Sequence, residues 1–136
     1  MNRDEIKQII PHREPMLLVD EIEIIDGVAV GSYTVRGDEH FLDGHFPGNP
    51  VVPGVILCEI LAQSSCVLLD TSLRGQTPYL VGMNNIKFKR PVAPGDTVRT
   101  ECTLERVKGP FHFISGKLYV GDKLCVSGEF ASAILR

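Results

Sequence analysis

The residues best able to carry chemistry are a histidine in a loop crowded with glycine and proline and a glutamate fourteen residues later. His45 lies in Asp43-Gly44-His45-Phe46-Pro47-Gly48-Asn49-Pro50, where the glycines permit tight bends and the prolines remove freedom, so an imidazole is presented rigidly. Pro53 and Gly54 then open a helical stretch. The first amides of a helix have no intrahelical acceptors, so the N–H groups around Gly54 and Val55 can point at a carbonyl oxygen that gains negative charge. Gly54 also lets a ligand approach the backbone closely. Glu59 stands further into the helix, and Gln63, one turn on, is placed to orient it or to hold a water. A base, an acid and an amide donor are the parts required to eliminate water next to a thioester. A lone histidine is more often a surface or hydrogen-bonded residue, so this chemistry rests on the three elements together.

Other chemistries find less support. His40 and His45 have no third ligand at a recognisable spacing, so no metal is expected. Cys58, Cys66, Cys102 and Cys125 contain no C-x-x-C pair. On one helix Cys58 and Cys66 would be separated by a rise of about 12 Å, too far for a disulfide, and all four read as reduced core thiols. Fourteen Lys and Arg against seventeen Asp and Glu give a net charge of -3, which lacks the basic footprint of a nucleic-acid binder. The chain has 136 residues, 43% hydrophobic and 23% charged, as expected of one globular domain over residues 1–136 with a packed core. No apolar run approaches the roughly 20 residues of a membrane span, and the N-terminus MNRDEIKQII is too polar for a secretory signal. A cytoplasmic protein is expected.

The elements that must position these residues follow from periodicity and turn chemistry. Asp4 and Glu5 open a short helix that must stop at Pro11. Met16 to Ile25 reads as a strand, Asp26-Gly27 as a tight hairpin turn and Val28 to Val35 as the returning strand. The glycines and prolines between residues 36 and 53 exclude regular structure there. Gly54 to about Leu69 is the long helix, with Pro53 near its first turn. Strands follow at Tyr79 to Arg90, Thr97 to Val107, Phe111 to Val120 and Leu124 to Leu135, separated by Pro94-Gly95-Asp96, Gly109-Pro110 and Gly121-Asp122. This order predicts an α+β domain in which one antiparallel sheet packs around one helix. Around that helix Glu59, Gln63 and Asp70 fall within about 40° of one another. Periodicity leaves two readings open: the stripe is the face left to solvent, or it faces a cleft or second subunit where an apolar setting raises a carboxyl's pKa.

In PHREPMLLVD (11–20), HFPGNPVVPGVI (45–56), CEILAQ (58–63) and KFKRPVAPGD (87–96) the chain resembles the bacterial (3R)-hydroxyacyl-[acyl-carrier-protein] dehydratases of type II fatty acid synthesis. The resemblance runs over nearly the whole length. It implies a hotdog fold, with His45 and Glu59 at the family's catalytic histidine and glutamate. An aspartate at the latter position marks a related isomerising branch, so Glu59 resembles the non-isomerising one. Departures are mild: Glu14 stands where an aromatic residue is common and Cys58 where an aliphatic one is.

The resemblance further implies a homodimer whose sites each take the histidine from one subunit and the glutamate from the other, with dimers assembling to hexamers. The substrate would arrive on the phosphopantetheine of acyl carrier protein, and no cofactor would be needed. Phe46, Met83 and Phe88, with Val55, are candidates for an acyl tunnel, each equally readable as core. Lys87, Lys89 and Arg90 are candidates for docking an acidic carrier, with alternation putting Lys87 and Lys89 on one face. Hydrolysis of acyl thioesters on the same fold, and a non-catalytic acyl-binding subunit, are the competing readings.

Overall fold

The computed structural model describes residues 1–46, 48–69 and 76–134. A capping box starts α1 (Arg3–Ile6): the Asn2 side chain accepts from the Glu5 amide, and the Glu5 carboxylate accepts from Asn2 N–H. The hairpin forms where expected, as β1 (Glu21–Ile25) and β2 (Val28–Thr34). Asp26 and Gly27 have φ of 50° and 80°, the left-handed pair that a two-residue turn between twisted strands requires. After α2 (Gly54–Ser65) come β3 (Pro78–Phe88), β4 (Thr97–Lys108), β5 (Phe111–Val120) and β6 (Lys123–Ile134). All pair antiparallel in one sheet of order β1-β2-β4-β5-β6-β3. That sheet curls around α2 in the hotdog arrangement. None of the described helices is long and apolar enough to cross a membrane.

The helix packs against β2, β4, β5 and β6. Ile60 and Leu61 are fully enclosed, each burial contributing about 2 kcal/mol. The approach is close because small residues face it. A Cβ at Gly31 would stand 2.6 Å from Thr100 Oγ1 and 3.0 Å from Ser64 Oγ, and one at Gly116 would meet Leu61 at 3.2 Å.

Most boundaries fall within a residue of expectation, but α1 ends at Ile6, ahead of Pro11, and three others differ for a hydrogen-bonding reason. The first strand begins at Glu21 and not Met16, because Gln63 takes the Leu18 amide and the Met16 carbonyl at 2.8 and 2.7 Å and pins residues 16–18 beside α2. The α-helix ends at Ser65, followed by a 3₁₀ turn over Cys66–Leu68. There Ser64 and Ser65 hydroxyls bond back to the carbonyls of Ile60 and Ala62, a competitor to regular helix. β3 ends at Phe88, since the amides of Lys89 and Arg90 both turn to the Cys125 carbonyl. Asp70 and Leu135 lie outside the described residues.

Candidate active site

The loop that carries His45 is anchored before it begins. Glu39 is buried and accepts from the Tyr33 hydroxyl at 2.6 Å and from the amides of Arg36 and Gly37 at 3.0 and 2.7 Å. Burial pushes its carboxyl up, yet these three donors outweigh burial and hold it at about 2. A 3₁₀ turn over His40–Leu42 follows, correcting the expectation of no regular structure between residues 36 and 53, with Leu42 in the core. His45 N–H bonds to the Leu42 carbonyl at 3.3 Å. Gly44 and Gly48 adopt φ of 77° and 83°, and Phe46 itself takes a left-handed φ of 53°, a conformation costly for a bulky residue and concentrated at functional sites. Val52 N–H to the Val92 carbonyl, at 2.8 Å, ties down the exit.

This geometry assigns the tautomer of His45. Nδ1 lies 2.9 Å from the Val51 carbonyl oxygen. A carbonyl only accepts, so Nδ1 carries the hydrogen, and in the neutral ring Nε2 keeps a free lone pair.

Beside the imidazole stands the tip of α2. Its N-cap is Pro53, which has no side-chain oxygen to offer and whose carbonyl takes the amides of Ile56 and Leu57. The N–H groups of Gly54 and Val55 therefore have no partner among the described residues. His45, Phe46, Val51, Val52, Gly54, Leu57, Phe88, Lys89, Arg90 and Pro91 line a pocket of about 430 Å³. The space above Gly54 is taken by the Phe88 ring, 2.9 Å from where a Cβ would stand, so a side chain of the protein exploits the closeness expected of a ligand. The pocket thus gathers Phe46 and Phe88 but neither Val55, which is 70% exposed, nor Met83, which stands exposed on the edge strand β3.

The three docking candidates also separate. Lys89 and Arg90 line the His45 pocket. Lys87 sits with Glu101, Lys117 and Glu129, on the sheet face turned away from α2, since Gly116 beside Lys117 points inward at Leu61. Alternation fails between Lys87 and Lys89 because the strand ends between them.

Glu59 occupies another side of the helix. Leu57 faces the His45 pocket, and two residues further on is a rotation of about 200°. Within one chain Glu59 does not line that pocket. Its half-buried carboxylate accepts from Gln63 Nε2 at 2.8 Å and lies 3.4 Å from His12 Nε2. Glu59 and Gln63, the described part of the polar stripe, are thus covered by the chain's own N-terminal segment. Gln63 is 1% exposed and both its amide hydrogens are spent, on Glu59 and on the Met16 carbonyl; it orients Glu59 and has none left for substrate. Burial raises the pKa of Glu59, but contact with His12 and Gln63 outweighs it and leaves the carboxyl below its usual range. Within one chain the net shift is thus downward, against the rise that burial by itself would bring. His12 escaped sequence reasoning because 47 residues separate it from Glu59; its only signal was membership of PHREPMLLVD.

A model of the FabA-like domain matches residues 10–129. The chain is 42% identical over 137 residues to the 3-hydroxyacyl-[acyl-carrier-protein] dehydratase FabZ of Clostridium perfringens, covering 98% of this chain and 99% of that protein. With the protein of the same name from Thermomicrobium roseum the identity is 44% over 135 residues, covering 96% and 91%. In shape it is similar to the dehydratase heterocomplex ApeI:P from Xenorhabdus doucetiae, with a TM-score of 0.82 over 96% of this chain and 91% of that one at 19% identity. It is also similar to Cj0977, a sigma28-regulated virulence protein from Campylobacter jejuni, with a TM-score of 0.74 over 97% and 89% at 10% identity. At such identities likeness speaks for the fold alone. Matched along nearly its whole length to proteins above 40% identity, the chain belongs to the FabA-like family, among the 3-hydroxyacyl-[acyl-carrier-protein] dehydratases of the FabZ group.

Proposed function

We propose that the chain, acting as one domain over residues 1–136, dehydrates (3R)-3-hydroxyacyl thioesters held on the phosphopantetheine of acyl carrier protein to trans-2-enoyl thioesters during fatty acid elongation. The observation that carries this reading is the His45 tautomer: a lone pair on Nε2, fixed by the Val51 carbonyl, beside two helix-tip amides that have no partner among the described residues. Nε2 removes a proton from C2. The amide of Gly54, with that of Val55, holds the thioester oxygen as it gains enolate charge. Protonated Glu59 then gives its proton to the departing 3-hydroxyl, the C3–O bond breaks, and the electron pair from C2–H becomes the new double bond. Base, acid and amides account for every proton, so the reaction requires no cofactor or metal.

Glu59 and His45 meet across two chains in this reading. The support is their placement on different sides of α2, together with the exposed apolar edge of β3 (Tyr79, Leu80, Val81 and Met83), an open strand edge of the kind that pairs with another chain. Within one chain Glu59 is held low, so its protonated form depends on the further desolvation that a second chain and an acyl group bring. Further assembly of dimers to hexamers, and acyl chains running past Phe46 and Phe88, extend the proposal. Carrier docks at Lys89 and Arg90, beside the pocket. The four free, buried cysteines suit a cytoplasmic location.

The test is formation of conjugated enoyl thioester from a 3-hydroxyacyl substrate, or hydration of a crotonyl thioester in reverse. His45→Ala and Glu59→Gln, each folded, should be inactive. Mixed and reassembled, they should regain about a quarter of wild-type activity, since half the dimers are mixed and each has one intact site. Wild-type turnover in either variant overturns the catalytic assignment; no recovery on mixing overturns the shared site.

A further inference from the structure

We infer that His12 is a positioning residue for the acid: together with Gln63 it occupies one carboxyl oxygen of Glu59, Oε2, so that the transferable proton sits on the other, Oε1. This rests on the reading of Glu59 as the acid. Oε2 receives Gln63 Nε2 at 2.8 Å and faces His12 Nε2 at 3.4 Å. An oxygen that already accepts from Gln63 and faces the His12 ring is a poor place for a proton of its own. Oε1 has no partner among the described residues and is left to face substrate.

The ring of His12 is spent on this contact. Its Nδ1 is buried and finds no hydrogen-bond partner among the described residues, a cost that a solvent-facing ring would avoid. The backbone on both sides is tied. Arg13 donates to the carbonyls of Lys7, Ile10 and His12 at 2.7–3.0 Å, and Gln63 holds Met16 and Leu18. One amide side chain therefore both clamps the segment that carries His12 and touches the carboxyl that His12 meets. Among the described residues, the titratable groups facing Glu59 are His12 from this segment and Cys66 from the 3₁₀ turn after α2, joined in the proposed dimer by the His45 supplied by the second chain. Cys66 is pushed up to about 12, chiefly by burial and then by Glu59, so it remains a neutral thiol.

The test is the pH dependence of kcat and KM for the intact enzyme carrying His12→Ala or His12→Gln. His12→Ala should lower kcat about tenfold, with KM within about twofold, and move the limb set by Glu59 to higher pH, because a group that favours the carboxylate is gone. His12→Gln returns an N–H donor without a charge. It should restore kcat to within about threefold of wild type and bring that limb partway back, since the hydrogen bond returns without the charge. If His12→Ala fails to fold, His12→Gln carries the decision. Profiles unchanged from wild type, or lost activity with an unmoved limb and no rescue by glutamine, overturn the inference. An inactive Glu59→Gln beside indifferent His12 variants removes only the positioning role, whereas an active Glu59→Gln removes the acid assignment itself.

Discussion

Replacing Gly54 with alanine probes the contact that closes the helix tip. The added Cβ would stand 2.9 Å from Phe88 Cε1, 3.2 Å from Cζ and 3.3 Å from Cδ1, whereas non-bonded carbons rest about 3.5–4.0 Å apart. One edge of the ring must retreat by roughly 0.6–1 Å. Phe88 is more than half exposed, so the ring yields cheaply, and alanine gains up to about 1 kcal/mol over glycine in helix preference. Stability should therefore stay within about 1 kcal/mol of wild type, a shift of only a few degrees in Tm. Activity should suffer far more. Phe88 and Gly54 are both walls of the His45 pocket, and a displacement of about 1 Å in a positioning group costs about 100-fold. The assay is kcat/KM for enoyl thioester formation beside a thermal melt, and the expected loss is about 10- to 100-fold. Phe88→Ala removes the ring, so adding Gly54→Ala to it should cost little. A cycle in which Gly54→Ala is equally damaging with and without the ring would refute the contact as the cause. The damage would then lie in the substrate's own approach to the amide.

Glu39→Gln should destabilise the folded chain by about 3 kcal/mol at neutral pH, the worth of a carboxyl held at about 2 against its usual 4.5. Because the folded value is depressed, this stabilisation is complete above pH 4.5 and fades as pH falls toward 2. Denaturant melts of wild type and variant should converge over that window, and a constant gap would contradict the account. Charge reversal at Lys89 and Arg90 should weaken kcat/KM for carrier-bound substrate, steeply with falling salt, and spare small thioester analogues. Lys87→Glu, on the outer face, should do much less, and equal losses on both substrates would count against docking at the pocket.

What the sequence makes legible is what local chemistry decides. Asp26-Gly27 could only be a tight turn, and the Gly and Pro clusters after residue 90 set β4, β5 and β6 to within one residue at each end. Pro53 placed the start of α2, and the glycines around His45 gave the loop its bends. What stays hidden depends on partners distant in sequence. The start of the first strand is set by Gln63, 45 residues beyond Leu18, and the anchor of the histidine loop by a buried Tyr33–Glu39 pair that no spacing marks. Lys87 and Lys89 look alike by alternation, yet the strand stops between them because two amides turn to Cys125. Glu59 shows the same limit in its charge. Apolar neighbours on the helix argue for a raised pKa, and a histidine 47 positions earlier, with Gln63, reverses the sign.

The spacing of His45 and Glu59 carries a separate lesson about reading catalysis from one line of residues. Fourteen positions apart, at the foot of one helix, they look like neighbours of a single cleft. The helix turns about 100° per residue, and Gly54 and Leu57 have already claimed the side that meets His45, so Glu59 must leave on another. In the proposed dimer a second copy supplies one of the two groups. An active monomer, kept apart by charged substitutions on β3 and still turning over substrate at the wild-type rate, would show that the acid is another group within reach of His45.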